Sequence, residues 1–207
     1  TALAIARQVG IATKSSEVLT GLQIDALDDE EFLKKLQTVC VFARVSPENK
    51  VRIVEGFKKL GKVVAMTGDG VNDAPSLKKA SIGVGMGITG TDVTKQVADM
   101  IVTDDSFSTI VLAVEEGRKI YANIQKTVSF LFTTNVCEVL ALLICILAFP
   151  SLTFLTPIQI LFINLVSDSL PAIALGVEPA ERDVMSRPPR DSKKSLFSGG
   201  VGLKIFI

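Results

Sequence analysis

The order of apolar and polar residues divides the 207-residue chain into two regions. Up to about residue 126, short β-branched runs alternate with amphipathic stretches, which is typical of strands alternating with helices. Strands are predicted at 38–43, 63–66, 82–85 and 100–102, and helices at 46–60, 75–79 and 91–98. This alternation favours a parallel, doubly wound α/β sheet, in which ligands bind at the carboxyl ends of the strands.

The predicted helix at 46–60 has clear signals at both ends. Ser46 is a favoured N-cap residue, and Pro47 suits the first helical position, where its missing N–H has no helical partner. Gly61 is the residue type that most often follows the last turn of a helix. Lys50 therefore lies on this helix.

The second region is a long helical pattern followed by another apolar run. The pattern stays helical from 106 to 149, and any of Asp104, Asp105 and Ser106 can cap it. Residues 128–149 and 157–177 are apolar and long enough to cross a bilayer, which takes about 20 residues. The basic residues that flank these runs are Arg118, Lys119 and Lys126 before, and Arg182, Arg187, Arg190, Lys193 and Lys194 after. The positive-inside rule then predicts a membrane hairpin with both ends in the cytoplasm. The alternative is a buried helical hairpin in a soluble core, but soluble helices seldom stay apolar for this length.

These patterns define six segments of the chain. They are an α/β domain at 1–105, a cytoplasmic stalk helix at 106–127, a transmembrane helix at 128–149, an extracytoplasmic loop at 150–156, a second transmembrane helix at 157–177, and a cytoplasmic loop with the start of a further membrane segment at 178–207.

The composition excludes several classes of function. Lys plus Arg and Asp plus Glu both number 22, so the chain lacks the basic excess of a nucleic-acid-binding protein. Histidine is absent, which excludes Ser-His-Asp and Cys-His nucleophiles and zinc sites built on histidine. The three cysteines form no Cys-x-x-Cys pair, and we interpret them as reduced packing residues.

A polar loop at 67–73 follows the second predicted strand and carries the strongest chemical signal. Asp69, Asn72 and Asp73 place two carboxylates and an amide on one tight turn, next to the cofactor-binding candidates Thr67, Gly68 and Gly70. The glycines are expected to allow positive φ or close approach of the backbone. The two aspartates are suited to holding Mg²⁺ against a phosphoryl group, and Lys50 is suited to balancing its charge. The alternatives are an ordinary Asp/Asn/Gly turn and a solvated helix lysine.

Five polar residues interrupt the two apolar runs. They are Asn135 and Glu138 in the first run, and Asn164, Ser167 and Asp168 in the second. Spacings of three and four residues predict that each set shares a helix face. Oxygen ligands of this kind favour a hard cation such as Ca²⁺. We also expect Pro171 to free a backbone carbonyl near 166–168, as in the broken helices of transporters. The alternative is that these residues only bond the helices together or carry protons.

Several motifs resemble the P-type ATPases, which belong to the haloacid dehalogenase superfamily. The sequence Met66-Thr67-Gly68-Asp69-Gly70-Val71-Asn72-Asp73-Ala74-Pro75 is similar to their hinge motif. Asp104-Asp105-Ser106-Phe107 and Glu115-Glu116-Gly117-Arg118 also resemble the family. Asn135-Val136-Cys137-Glu138 and Asn164-Leu165-Val166-Ser167-Asp168 are similar to the fifth and sixth transmembrane helices of its calcium-pump branch. The resemblance covers the whole chain.

The resemblance implies a function for each of these residues. Lys50 is expected to contact an aspartyl phosphate, Asp69 to bind Mg²⁺, and Asn72 and Asp73 to organise that site. The five intramembrane residues are expected to coordinate the transported ion. Because sodium- and potassium-moving branches usually have Asp where Asn164 stands, the resemblance favours Ca²⁺. Residues 1–105 are then the C-terminal part of a haloacid-dehalogenase-like phosphorylation domain.

The Asp-Lys-Thr-Gly-Thr motif that carries the phosphorylated aspartate of the family is not in the sequence. We therefore expect a fragment of a longer pump, in a plasma membrane, whose partners are the lipid bilayer and the remainder of the same polypeptide. ATP is then bound mainly by domains outside this sequence. Two alternatives remain: a membrane-anchored phosphatase of the same superfamily, and a non-enzymatic cation-binding or regulatory membrane module.

Overall fold

The computed structural model describes residues 2–151 and 154–190. Its helices are α1 (Ala2–Gln8), α2 (Gly21–Ala26), α3 (Asp29–Leu36), α4 (Pro47–Lys59), α5 (Ala74–Lys79), α6 (Asp92–Val97), α7 (Phe107–Ala148), α8 (Pro157–Phe162) and α9 (Ser169–Gly176). Its strands are β1 (Val18–Thr20), β2 (Val41–Ala43), β3 (Ala65–Gly68), β4 (Ile82–Met86) and β5 (Met100–Val102). The chain divides into two compact units, Thr1–Ile110 and Val111–Ile207. The predictions for Lys193, Lys194 and a further membrane segment lie outside the described residues, as does part of the predicted loop at 150–156.

All strand pairs in the first unit are parallel, which confirms the predicted α/β class. The strands form two sheets, one of β1 and β2 and one in the order β3-β4-β5. Strand β1 was not predicted, because three residues are too few to show an alternating pattern.

Strand β3 lies two residues later than predicted, at Ala65–Gly68 instead of 63–66. Its neighbour β4 sets this position, since Ala65 pairs with Ile82 and Gly68 pairs with Gly85. The Val64 carbonyl accepts hydrogen bonds from the Ser81 and Ile82 amides, so the ladder begins directly after Val64. Gly68 is thus the carboxyl end of a strand rather than part of the loop.

Helix α4 has the ends that its sequence predicts, and it packs on α3. The Ser46 hydroxyl accepts a hydrogen bond from the Asn49 amide, and Pro47 is in the first turn. Gly61 has a φ of 76° just after the last turn. Phe32 and Leu36 of α3 are core residues, and the Arg52 guanidinium lies 4.7 Å from the centre of the Phe32 ring.

The two acidic residues before α7 have different contacts. The Asp104 carboxylate accepts hydrogen bonds from the Ser106 amide (3.1 Å) and the Thr109 hydroxyl (2.6 Å). The Asp105 carboxylate instead accepts from the amides of Ile88 and Thr89. Hydrogen bonds from these amides hold the pKa of Asp105 at about 2. Asp104 therefore bonds two residues at the start of α7, while Asp105 bonds the turn after β4.

Two helices of the second unit are long and apolar enough to cross a membrane. They are Phe107–Ala148, with 42 residues, and Pro157–Gly176, with 20 residues. The first agrees with the predicted helix at 106–149 to within a residue at each end. The second was predicted as one run, but it contains a π-helical turn at Ile163–Ser167 between α8 and α9.

The segment after α9 is attached to α7 by several polar contacts. The Asn123 side chain donates to the carbonyls of Gly176 (3.2 Å) and Glu178 (2.8 Å). Lys126 forms ion pairs with Glu178 (2.7 Å) and Glu181 (3.1 Å). Asn123 is 4% exposed, so its bonds to the end of α9 are shielded from water.

Two glycines inside helices differ in the space around them and provide a test of packing. A Cβ atom on Gly56 would lie 2.4 Å from Leu36 Cδ1, whereas one on Gly117 would meet no atom within 4 Å. Alanine favours helix over glycine by ~1 kcal/mol at either position, but overpacking a core costs ~1–3 kcal/mol. We expect Gly56→Ala to lower the thermal unfolding midpoint of the purified protein and Gly117→Ala to leave it unchanged or raise it. Equal midpoints for the two variants would contradict this close packing of α3 and α4.

Candidate functional site

The turn after β3 is organised around the carboxylate of Asp73. Asp73 is 6% exposed, and its Oδ1 atom lies 2.5 Å from the Lys50 ammonium in the first turn of α4. Its Oδ2 atom accepts a hydrogen bond from the Gly70 amide at 3.2 Å. Lys50 and Asp73, which lie 23 residues apart in sequence, are thus in direct contact.

Gly68 allows this carboxylate to lie against the strand. A Cβ atom at Gly68 would be 2.4 Å from the Cβ of Asp73, so no larger residue fits there. Close approach is therefore the reason for glycine at this position. A positive φ is not required in this turn, since Gly70 has a φ of −104° and the described glycines with positive φ are Gly10 and Gly61.

The charge of Lys50 controls the ionisation of Asp73. Burial raises the pKa of the Asp73 carboxyl group. Hydrogen bonds from the Lys50 ammonium and the Gly70 amide, together with the positive charge, outweigh burial and hold the pKa below its ordinary value. Asp73 is therefore ionised at neutral pH and stays paired with Lys50.

Asp69 and Asn72 occupy the exposed side of the same turn. Asp69 directly follows the last residue of β3, so it lies at the carboxyl end of the parallel sheet, as predicted. Thr67 is half-buried within β3. An exposed carboxylate at this edge is available to a cation, whereas the carboxylate of Asp73 is already engaged by Lys50.

Two threonines at the start of α6 also hold this turn, and the sequence analysis did not single them out. The Thr91 amide donates to the Asp69 carbonyl at 2.9 Å, and the Thr94 hydroxyl donates to the Gly70 carbonyl at 3.1 Å. A Thr-x-x-Thr start of α6 indicates a helix cap, but it gives no sign of a partner more than 20 residues earlier.

In the second unit, Glu138 of α7 and Asn164 of the π-helical turn are brought together. The Asn164 amide donates to Glu138 Oε2 at 3.1 Å and to the Ile160 carbonyl at 3.1 Å. The other carboxylate oxygen, Glu138 Oε1, is buried and has no hydrogen-bond partner within the described part of the chain. Since buried polar atoms are almost always paired, this oxygen is suited to accept a cation.

The π-helical turn lies just before Pro171. The Asp168 amide donates to the carbonyl of Ile163, five residues earlier, and the Ser169 hydroxyl donates to the carbonyl of Asn164 at 3.3 Å. A proline has no N–H to donate to the preceding turn, which disturbs the regular helix there. The expected irregularity is present, but it takes the form of a wider turn that begins at Ile163.

The other candidate ion ligands differ in burial and in their contacts. Asp168 is 7% exposed, whereas Ser167 beside it is exposed. Asn135 is also exposed, and its amide donates to the Leu131 carbonyl of its own helix at 2.6 Å. The described residues contain no group of three or more Asp, Glu, His or Cys side chains placed to hold a metal ion. Of the five intramembrane candidates, the structure thus joins Glu138 and Asn164.

Two family models match this chain. Residues 1–81 match the haloacid dehalogenase-like hydrolases, and residues 152–207 match the C-terminus of cation transporting ATPases. The chain is 53% identical over 206 residues to calcium-transporting ATPase 1 of Bacillus cereus, covering 100% of this chain and 23% of that protein. It is 54% identical over 201 residues to a calcium-transporting ATPase of Listeria monocytogenes, covering 97% of this chain and 23% of that protein.

A solved structure is similar to about two thirds of this chain. It is the crystal structure of a zinc-transporting PIB-type ATPase, with a TM-score of 0.50 and 28% identity, covering 67% of this chain and 20% of that one. The chain thus spans about a quarter of the length of the relatives that it matches. Together with the two long apolar helices, these relatives indicate that it is part of a membrane protein.

Removal of the Lys50 charge tests the electrostatics of the turn. A carboxyl group with a lowered pKa stabilises the fold above the pKa it has in the unfolded chain, and that stabilisation is lost as the pH falls through the folded-state pKa. In Lys50→Met, burial of Asp73 is no longer balanced by a positive charge, so its pKa rises. We expect the variant to be less stable than the wild type by about 1–3 kcal/mol at pH 7.5, with a smaller deficit at pH 5, where Asp73 takes up a proton.

The measurement is the thermal unfolding midpoint at both pH values. Lys59→Met is a matched control, because Lys59 is an exposed lysine on the same helix. A deficit for Lys50→Met that is the same at both pH values would contradict the role of Lys50 in holding down the pKa of Asp73.

Proposed function

We propose that this chain, which is similar over nearly its whole length to calcium-transporting ATPases, is one segment of a pump that exports Ca²⁺ through an aspartyl-phosphate intermediate. In this proposal, residues 1–105 are the C-terminal part of the phosphorylation domain and 106–127 are a stalk helix. Residues 128–149 and 157–177 are transmembrane helices joined by an extracytoplasmic loop at 150–156, and 178–207 form a cytoplasmic loop that leads into a further membrane segment.

The observation that carries the proposal is the unpaired oxygen of Glu138. A carboxylate at the centre of a bilayer costs about 2.5–3.5 kcal/mol on the insertion scale, and its buried Oε1 atom has no described partner to offset that cost. A Ca²⁺ ion would supply the missing interaction, since it prefers carboxylate, amide and carbonyl oxygens. Asn164 supplies an amide beside it, and Asn135, Ser167 and Asp168 are proposed as further ligands.

The second half of the proposal concerns phosphoryl transfer at the turn after β3. Asp69 would hold Mg²⁺, which when bound neutralises charge on the phosphoryl oxygens. The Lys50 ammonium has three N–H donors, so it would bind those oxygens while it stays paired with Asp73. Asp73 and the backbone of Thr67, Gly68 and Gly70 keep the turn in shape, and Asn72 lies on its open side. ATP and the phosphorylated aspartate belong to the remainder of the polypeptide.

Coupling between the two events is proposed to run along α7. This helix is continuous from Phe107 to Ala148, so a movement of its first turns reaches Glu138 without an intervening break. Because Asn123 and Lys126 bond the segment after α9, that segment would move together with α7. Tilting of α7 would then separate Glu138 from Asn164 and release the ion.

The proposed orientation in the membrane rests on the charge pattern. The basic residues that flank the apolar runs favour a cytoplasmic position for both ends of the segment, and we propose the plasma membrane of a cell as its site. The lipid bilayer and the remainder of the same pump are its proposed partners.

Two substitutions in the full-length pump separate ion binding from phosphoryl transfer. Asp168→Asn is expected to abolish Ca²⁺-activated ATP hydrolysis by weakening Ca²⁺ binding in the membrane. Asp69→Asn is expected to block phosphoryl transfer or hydrolysis while Ca²⁺ binding persists. Equilibrium binding of radioactive Ca²⁺ to purified membranes and formation of the acid-stable phosphoenzyme measure the two effects separately.

Asp25→Asn is the control for this pair, since Asp25 is an exposed aspartate far along the chain from both sites. It should retain both Ca²⁺ binding and phosphoenzyme formation. Normal Ca²⁺-activated turnover in Asp168→Asn would reject the assignment of the ion site, and normal turnover in Asp69→Asn would reject that of the phosphoryl site.

A further inference from the structure

The peptide group between Asp69 and Gly70 is held from both sides. Its carbonyl oxygen, which belongs to Asp69, accepts a hydrogen bond from the Thr91 amide at 2.9 Å. Its N–H, which belongs to Gly70, donates to Asp73 Oδ2 at 3.2 Å. A peptide group is planar, so two opposed hydrogen bonds fix its orientation.

The next peptide group is held as well. The Gly70 carbonyl accepts hydrogen bonds from the Asp73 amide at 2.9 Å and from the Thr94 hydroxyl at 3.1 Å. The first of these closes the turn, and it is local. The second comes from a different helix, α6, and therefore ties the turn to the body of the sheet.

The hydroxyls of Thr91 and Thr94 form a directed chain. Thr94 Oγ1 lies 2.9 Å from Thr91 Oγ1, and Thr91 Oγ1 accepts from the Thr94 amide at 3.3 Å. A hydroxyl has one proton, and that of Thr94 is donated to Gly70, so the proton of Thr91 must point to Thr94. Hydrogen bonds in such a chain strengthen one another.

The position of α6 is itself fixed by close packing on β4. A Cβ atom on Gly85 of β4 would lie 3.1 Å from the Ala98 side chain, and one on Gly90 would lie 1.9 Å from the Met86 carbonyl oxygen. There is thus no room for a side chain where α6 and the loop before it lie against β4.

Thr94 has no exposed surface, and the cap of α6 does not require its hydroxyl, because Thr91 supplies the cap. A buried hydroxyl is costly unless it is hydrogen-bonded, and valine would fill the same volume without that cost. Any role of the Thr94 hydroxyl beyond packing therefore depends on its hydrogen bond to the Gly70 carbonyl.

We propose that Thr94 is a positioning residue that holds the Asp69–Gly70 turn in the geometry needed for binding a divalent cation. This inference rests on the proposed function of Asp69 and deepens it. Thr94 acts through the backbone and contacts neither the cation nor the phosphoryl group. Its hydroxyl keeps the exposed Asp69 carboxylate oriented, while the opposite face of the turn holds Asp73.

The test compares Thr94→Val, Thr94→Ser and Thr38→Val in the full-length pump. Thr38 is a matched control, because its hydroxyl also bonds a carbonyl, that of Lys35 at 3.2 Å, but at a surface helix end away from the turn. Two quantities are measured: the affinity for Mn²⁺ in the absence of nucleotide, by electron paramagnetic resonance, and the Mg²⁺ and Ca²⁺ concentrations that half-activate ATP hydrolysis. Asp69→Asn identifies the part of the Mn²⁺ signal that belongs to this site.

Thr94→Val is expected to weaken Mn²⁺ binding and raise the half-activating Mg²⁺ concentration by about 2- to 10-fold, as expected for the loss of one neutral hydrogen bond. The half-activating Ca²⁺ concentration should stay within about twofold, because the hydrogen bond acts at the cytoplasmic turn alone. Thr94→Ser, which keeps the hydroxyl, should restore wild-type values, and Thr38→Val should match the wild type.

Wild-type Mn²⁺ and Mg²⁺ dependence in Thr94→Val would overturn the proposal, and so would an equal loss in Thr94→Ser. A loss confined to the thermal midpoint would show a packing role only and would also overturn it. Should the wild type bind Mn²⁺ but show no Ca²⁺-activated hydrolysis, the pump assignment fails while the Mn²⁺ comparison still decides the role of Thr94.

Discussion

The buried carboxylate of Asp73 is the constraint on which the arrangement of the α/β unit depends. A buried charge is tolerated only when it is paired and hydrogen-bonded. Meeting that requirement brings Lys50 of α4 to the end of β3, turns the Gly70 amide inward and excludes any side chain from Gly68. Strand, helix and turn are thus joined through one side chain, and Asp69 is left on the exposed side of the turn.

The carboxylate of Glu138 in the second unit, unlike that of Asp73, is only partly hydrogen-bonded. Asn164 satisfies one of its oxygens, and the other is buried without a described partner. A fully paired carboxylate such as Asp73 stabilises one arrangement of the protein, because any movement breaks its bonds. A half-paired one gains stability only when a ligand arrives, so its surroundings respond to that ligand. The two carboxylates therefore differ in what they can do: Asp73 holds one arrangement of its turn, whereas Glu138 has an oxygen left to bind a ligand.

Local sequence signals were sufficient to predict most of the fold, and they were weaker for the sites. Ser46, Pro47 and Gly61 set the ends of α4 through neighbours in sequence, and the apolar length of α7 predicted its course. Residue types such as Lys50 and Asp73 indicated a site, but the sequence did not predict their partners. Lys50 bonds Asp73, and Thr94 bonds Gly70, each across more than 20 residues. Strand β1 and the π-helical turn were missed because three residues give no pattern and a helix pattern assumes one constant period.

The π-helical turn at Ile163–Ser167 has a consequence for how variation along this helix is interpreted. Such a turn accommodates one extra residue, which shifts the phase of the helix by about 100° relative to an unbroken one. Positions on either side of it therefore follow two separate registers. Any scan of tolerated substitutions that is fitted with a single 3.6-residue period will assign outward-facing and inward-facing positions correctly on one side of the turn and misassign them on the other.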